Sequence, residues 1–168
     1  MDMFTAEIRT SDAAQALVRR WIAALRGGIK RLAGGEYEQG TGRLRTEQGT
    51  YCCLGVVCDL YDPTGWVRIE DDGPDDGLPP DSWWAYSNTG RTGPLSDYPT
   101  TVTGTLPDQV MKALCFSSPS GDVPGRDALG HGPATLSGLN DTGHGFKEIA
   151  DTIERELEKA LILTETSV

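Results

Sequence analysis

Two stretches of the chain repeat apolar residues at spacings of three and four. In the first, Ala14, Leu17, Val18, Trp21, Ala24 and Leu25 make one stripe, which predicts a helix capped by Ser11 or Asp12. Gly27 and Gly28 weaken it, and a short continuation through Ile29 and Leu32 is expected before Gly34 and Gly35 stop it. In the second, Phe146, Ile149, Ala150, Ile153, Leu157, Ala160 and Leu161 line one face, with Glu148, Asp151, Glu154, Arg155, Glu156, Glu158 and Lys159 on the others. This predicts a long closing helix, capped by Asp141 or Thr142.

Between these ends the pattern changes. Residues 51–61 are apolar on nearly all sides, so periodicity leaves helix and strand both open. A helix is favoured because Cys53, Leu54, Val57 and Leu60 would share a face, with Gly55 where another backbone packs closely. Trp66, Val67 and Ile69 suggest a strand, Trp83, Trp84 and Tyr86 a second, and residues 100–103 a third. Leu106 and Pro107 open another helix, with Pro at its first position and Val110, Met111 and Leu114 on its buried face. Residues 116–133 are rich in Ser, Gly and Pro and are expected to be irregular. The fold class is therefore α+β: three to four helices packed with a small antiparallel sheet around a loop-rich middle. The chain reads as a single domain, 1–168, with frayed ends at 1–10 and 164–168 and an acidic loop at 70–82.

Composition changes this picture in a few ways. The formal net charge is −10, which argues against nucleic-acid partners unless a basic patch is set apart. Arg19, Arg20, Arg26, Lys30, Arg31, Arg43 and Arg45 gather most of the positive charge near the start, while the acids concentrate after Asp59. The arginines form either a solvated helix face or an anion-binding edge. No apolar run approaches the roughly 20 residues needed to span a bilayer, and no signal peptide opens the chain, so a cytoplasmic protein without a membrane partner is expected. Cys52, Cys53, Cys58 and Cys115 lack the spacing of a disulfide framework or a zinc site. They read as small buried hydrophobes.

The best candidate for chemistry is the segment 139–146. Asn140, Asp141, Thr142 and His144 are expected to converge on the N-terminus of the closing helix, where free amides and the helix dipole favour an anion. The alternative is a plain helix cap and turn, with His144 on the surface. His144 with Asp141 could make an acid–base pair, and His131 could join them on a metal, but no nucleophile or ligand motif accompanies them. The acidic loop lacks the spacing of a calcium site. Tyr37, Trp66, Trp83, Trp84 and Tyr86 exceed what one small core needs. Trp83 and Trp84 point to opposite faces of a strand, so one is a candidate interface or stacking platform.

Five pieces together resemble a family of small uncharacterised proteins of bacteriophages and prophages. They are Trp21 in the first helix, a Gly-x-Tyr-x-Gln turn at Gly35, Tyr37 and Gln39, and Cys-Cys-Leu-Gly-Val at Cys52 to Val56. Leu106–Pro107 and Leu-Asn-Asp-x-Gly-x-x-Phe-x-x-Ile-Ala-Asp from Leu139 to Asp151 complete the set. The resemblance touches both ends of the chain, covers about half of its residues, and skips the acidic loop and the Trp83–Trp84 pair. That family has no established activity, so the resemblance implies a phage-type setting and no mechanism.

The leading expectation is a protein that binds a small phosphorylated ligand without catalysis, with no catalytic residue, metal or cofactor, in one form sequestering a host nucleotide signal. Tyr37, Arg43, Arg45, Trp83, Asn140, Asp141, Thr142 and His144 are the expected ligand-binding residues; Arg20 would add a phosphate contact, and Tyr37 or Trp83 would stack on a base. The alternatives are an acidic inhibitor of a host protein, a small hydrolase acting on a nucleotide, and a minor virion component. A homo-oligomer would give the exposed aromatics a simpler role.

Overall fold

The structure is a computed structural model, and it describes residues 2–70, 82–87, 101–126 and 133–162. Its α-helices are α1 (Asp12–Leu25), α2 (Cys53–Tyr61), α3 (Asp108–Ala113), α4 (Leu136–Asp141) and α5 (Phe146–Ile162). Its strands are β1 (Trp66–Glu70), β2 (Ser82–Ser87), β3 (Thr101–Val102), β4 (Asp122–Arg126) and β5 (Pro133–Thr135). β1, β2 and β3 form one antiparallel sheet in that order, and β4 with β5 forms a second. The protein is α+β, with more helices than expected and two small sheets in place of one. Most of the acidic loop, residues 71–81, His131 and the 164–168 end lie outside the described residues.

The two amphipathic stripes form helices as predicted. Ser11 caps α1 by accepting a hydrogen bond from the Ala14 amide, and Ala14, Val18, Trp21, Ile22, Ala24 and Leu25 are buried. α1 ends sooner than the pattern suggested: Gly27 adopts φ +80°, and Leu32 is 89% exposed rather than part of an apolar face. The ambiguous segment 51–61 is a helix from Cys53 onward. Its residues Cys53 to Val57 are buried on every side because α1, α3 and α4 all pack against it. A Cβ on Gly55 would overlap the Leu44 carbonyl, which is the close backbone approach the sequence led us to expect.

Four expectations need correcting. The first ten residues do not fray from residue 2 on: Met3, Phe4 and Ile8 are buried, Thr5 donates to the Cys115 carbonyl, and a 3-10 turn covers Ala6–Arg9. The adjacent pair Met3 and Phe4, with Ile8 four residues on, is enough to hold this short segment to the core. Pro107 is the N-cap of α3, one residue ahead of its expected place. The stretch expected to be irregular contains the antiparallel β4–β5 pair, in which Val123 is buried and pairs with Ala134, with a register shift between Val123 and Arg126. Among the described residues, the third strand covers Thr101–Val102 instead of 100–103 and pairs with Tyr86 and Ser87.

All the long elements share one core. Trp21 sits at its centre, fully buried, and its indole N–H donates to the Cys53 carbonyl at 2.8 Å. The three-stranded sheet joins this core through Tyr86, whose hydroxyl donates to the carbonyl oxygens of Cys58 and Asp62. Tyr86 therefore fixes the sheet over the end of α2.

Candidate arginine–aromatic site

The segment between α1 and α2 runs beside two sets of sequence-predicted residues. On one side lie Asn140, Asp141, Thr142 and His144. Asn140 and Asp141 belong to the last turn of α4, so they do not cap α5 as expected. Asn140 is 1% exposed. Its Oδ1 accepts from the Cys53 amide at the start of α2 and from Gln39 Nε2, both at 3.1 Å, and its Nδ2 donates to the Gly40 carbonyl at 2.8 Å. Gln39 in turn accepts from the Phe146 amide with Oε1 and donates to the His144 carbonyl with Nε2. The amide at the start of α5, expected to await an anion, is thus held by a side chain of the protein itself.

The remaining residues of that group are engaged as well. Asp141 accepts from the Gly42 amide at 3.0 Å, and Thr142 Oγ1 donates to the Gly138 carbonyl at 2.8 Å. The His144 ring is exposed and lies 2.9 Å from Glu148, so its carboxylate neighbour is Glu148 and not Asp141. Gln39 was visible in the sequence as part of the Gly-x-Tyr-x-Gln turn, but nothing in its spacing announced a partner about a hundred residues away.

On the other side, the same segment brings its arginines against the aromatics. Arg45 lies 4.0 Å above the Trp84 ring centre, and 5.7 and 5.6 Å from those of Tyr51 and Trp66. Arg43 lies 5.8 Å from Trp83, and Arg68 lies 5.8 Å from Trp84. Arg68 is the side chain directly across the β1–β2 ladder from Trp84, which explains that neighbour. Arg45 arrives from far along the chain, steered by hydrogen bonds from Leu44 N to the Thr103 carbonyl and from Cys52 N to the Leu44 carbonyl. Trp83 and Trp84, expected to present at least one open ring, are both half-buried; Arg45 covers Trp84, whereas Arg43 stands off from Trp83. Arg20 is exposed on α1 and joins none of these contacts.

The charge state of this wall is unequal. Arg68 is balanced by Glu47 at 3.1 Å and Glu70 at 3.8 Å. Arg43 and Arg45 face no carboxylate within ion-pair distance among the described residues. The Nε atoms of Arg45 and Arg31 are buried and have no hydrogen-bond partner among the described residues, although Arg31 also donates from Nη1 to the Gly49 carbonyl at 3.4 Å. Both guanidiniums bear on the Tyr51 phenol and favour its ionised form, but burial outweighs them and the group is pushed upward. Asp59, whose charge also acts on Tyr51, accepts from the Tyr37 hydroxyl at 2.6 Å and the Trp66 indole at 2.9 Å. Burial first, and then that bond to Asp59, drive the Tyr37 phenol above its ordinary range. Tyr37 is 8% exposed and is a wall strut rather than the open stacking face expected of it.

A second feature is a cavity of about 520 Å³ between the N-terminal segment and α5, lined by Met3, Phe4, Pro124, Glu156, Ala160 and Ile162 among others. Its cations are already engaged: Arg9 Nε donates to the Ala160 carbonyl, and Lys159 pairs with the buried Glu156. Among the described residues no group of three or more His, Cys, Asp or Glu side chains is placed to hold a metal ion, and no helix is long and apolar enough to cross a membrane. The cysteines are free and buried; burial raises the Cys52 thiol to about 11 and pushes Cys53 and Cys58 well above their usual value.

No curated protein and no solved structure matches the chain. Residues 14–73, which include Arg31, Arg43, Arg45, Tyr51, Asp59 and Trp66, match a family described only as a domain of unknown function (DUF8296).

Proposed function

We propose that this protein binds a small phosphorylated ligand on the arginine–aromatic wall and performs no chemistry on it. The observation that carries this reading is the pair of buried guanidinium Nε atoms of Arg31 and Arg45, unpartnered among the described residues, in side chains that both bear on Tyr51. A buried donor left unpaired costs about 1–3 kcal/mol, and a phosphate oxygen is the acceptor that guanidinium geometry fits best. Arg43, exposed over Trp83, adds a third cation on the same segment. In a chain of net charge −10, three arginines with no carboxylate in ion-pair distance among the described residues mark the place where an anion would be tolerated. The helix-end residues Asn140 and Asp141 would support this wall from behind, through Gly40 and Gly42, without touching the ligand. The resemblance to phage and prophage proteins supplies a setting in which such binding is useful, namely sequestration of a host nucleotide signal.

Calorimetric titration with ATP as probe, followed by chromatography of the mixture, tests the reading. Saturable binding with ATP recovered intact is expected. Arg43→Ala and Arg45→Lys should each weaken binding about tenfold, the size of one charge-assisted hydrogen bond. Arg43→Ala should leave thermal unfolding unchanged, because the side chain is exposed. Cleaved ATP would favour a hydrolase. Absence of binding by ATP or inorganic triphosphate would move the weight to the acidic surface and a protein partner.

A further inference from the structure

We infer that the wall reads phosphate groups and not a base, so that its ligand class is a phosphate-dense anion such as a linear di- or triphosphate, with or without a nucleoside attached. This rests on the phosphate-binding reading above and narrows it. A base that stacks needs an open aromatic face. Four of the rings here, Tyr37, Tyr51, Trp66 and Tyr86, are closed against one another. Tyr37 meets Tyr51 edge to face at 5.3 Å and 84°, Tyr51 meets Trp66 at 5.9 Å and 68°, and Trp66 meets Tyr86 at 5.0 Å and 88°. The Tyr37 and Tyr86 hydroxyls and the Trp66 indole N–H are each tied down by hydrogen bonds, so this run cannot swing open without breaking them.

Trp84 lies outside that run, and its ring carries Arg45 at 4.0 Å and Arg68 at 5.8 Å. A guanidinium stacked on an indole presents its flat side to the ring and its N–H groups outward in its own plane. Stacking therefore costs the arginine none of its donors, and it removes much of the side-chain entropy that binding would otherwise have to overcome. The rings serve to hold the arginines still. Arg45, 5.7 Å from the Tyr51 ring, and Arg31 both bear on Tyr51, which gives two cations suited to adjacent phosphates, while Arg43 lies over Trp83 on the other face of β2. Trp83 is the ring on which a base could still land, since Arg43 stands off at 5.8 Å.

The test compares sodium triphosphate, ATP, AMP and adenosine in calorimetric titrations of the full chain. Triphosphate and ATP should bind within about threefold of each other, AMP should bind at least about tenfold more weakly, and adenosine should give no heat, because a stacked base would add about tenfold or more. Trp83→Leu should leave the ratio of ATP to triphosphate affinity unchanged. The inference is overturned if ATP binds about tenfold or more tightly than triphosphate, or if that advantage disappears in Trp83→Leu. Both results would leave the phosphate-binding reading standing. If neither ATP nor triphosphate binds, the site reading falls and this one with it.

Discussion

Asn140 commits its whole side-chain amide to other parts of the chain. It accepts from the start of α2 and from Gln39, and it donates to Gly40. Gln39 passes the connection on to the first amide of α5. Two uncharged side chains thus hold the ends of three helices and the long loop in register. The same low dielectric that strengthens such a network makes a gap in it expensive. Asn140→Ala should leave the Cys53 amide, Gln39 and the Gly40 carbonyl short of partners and cost about 2–4 kcal/mol, measured by urea unfolding. Gln39→Ala should cost less, because the Phe146 amide lies nearer to solvent. The double variant should be more stable than the sum of the two by about 1 kcal/mol, since both remove the same bond. Strict additivity would mean that the two residues act independently, and the network would have to be redrawn.

At the scale of elements, α2 shows what packing demands of sequence. Its central residues have no polar face because α1, α3 and α4 surround it, and Gly55 lets it lie against the backbone at Leu44. Gly55→Ala should force that contact apart and cost about 3 kcal/mol. Gly104→Ala, where nothing lies within 4 Å of the new methyl, should stay within about 0.5 kcal/mol of the parent. The pair separates loss of space from mere loss of glycine, and equal effects on the melting temperature would refute the packing argument. The same contrast explains what was legible. α1 and α5 were readable because one stripe of each meets the core, and a stripe is a local pattern. The role of Gly55 could be anticipated once a helix was favoured. The β4–β5 pair was not readable, since its pairing depends on partners across a register shift and not on alternation. The stacking of Arg45 on Trp84 was hidden for a related reason: the two lie far apart in sequence, and long-range backbone contacts such as the Leu44–Thr103 and Cys52–Leu44 hydrogen bonds bring them together. Asn140 misled because a polar run before an amphipathic helix normally caps that helix, whereas here a short extra helix, α4, takes up the run and turns Asn140 inward.

For the molecule as a whole, the core that joins these elements is unusually rich in groups that ionise in alkali. Cys52, Cys53, Cys58, Tyr37, Tyr51 and Tyr86 all belong to one contiguous cluster. Burial is the first cause of the upward shift in every one of them. A group whose folded-state value is raised above its unfolded value stabilises the fold fully below the unfolded value, and that contribution disappears as pH rises through the folded one. For Cys52 the window runs from its ordinary 9.0 to about 11, and the phenols begin to contribute at their ordinary 10.0. Urea midpoints should therefore be flat up to about pH 8.5 and fall continuously above about pH 9. Because the groups share one core, they should ionise with global unfolding and not one by one. The tyrosinate absorbance of Tyr37, Tyr51 and Tyr86 should appear in a single step that coincides with loss of far-ultraviolet dichroism. The thiols should stay silent to a disulfide reagent until the same point. A Cys52→Ser, Cys53→Ala, Cys58→Ala variant should move the onset of that fall upward, toward the phenol range, whatever its stability at neutral pH. Should native protein instead react with the reagent near pH 8, or should the three phenols titrate ahead of unfolding, then α2 opens locally on its own and the single-core description is wrong.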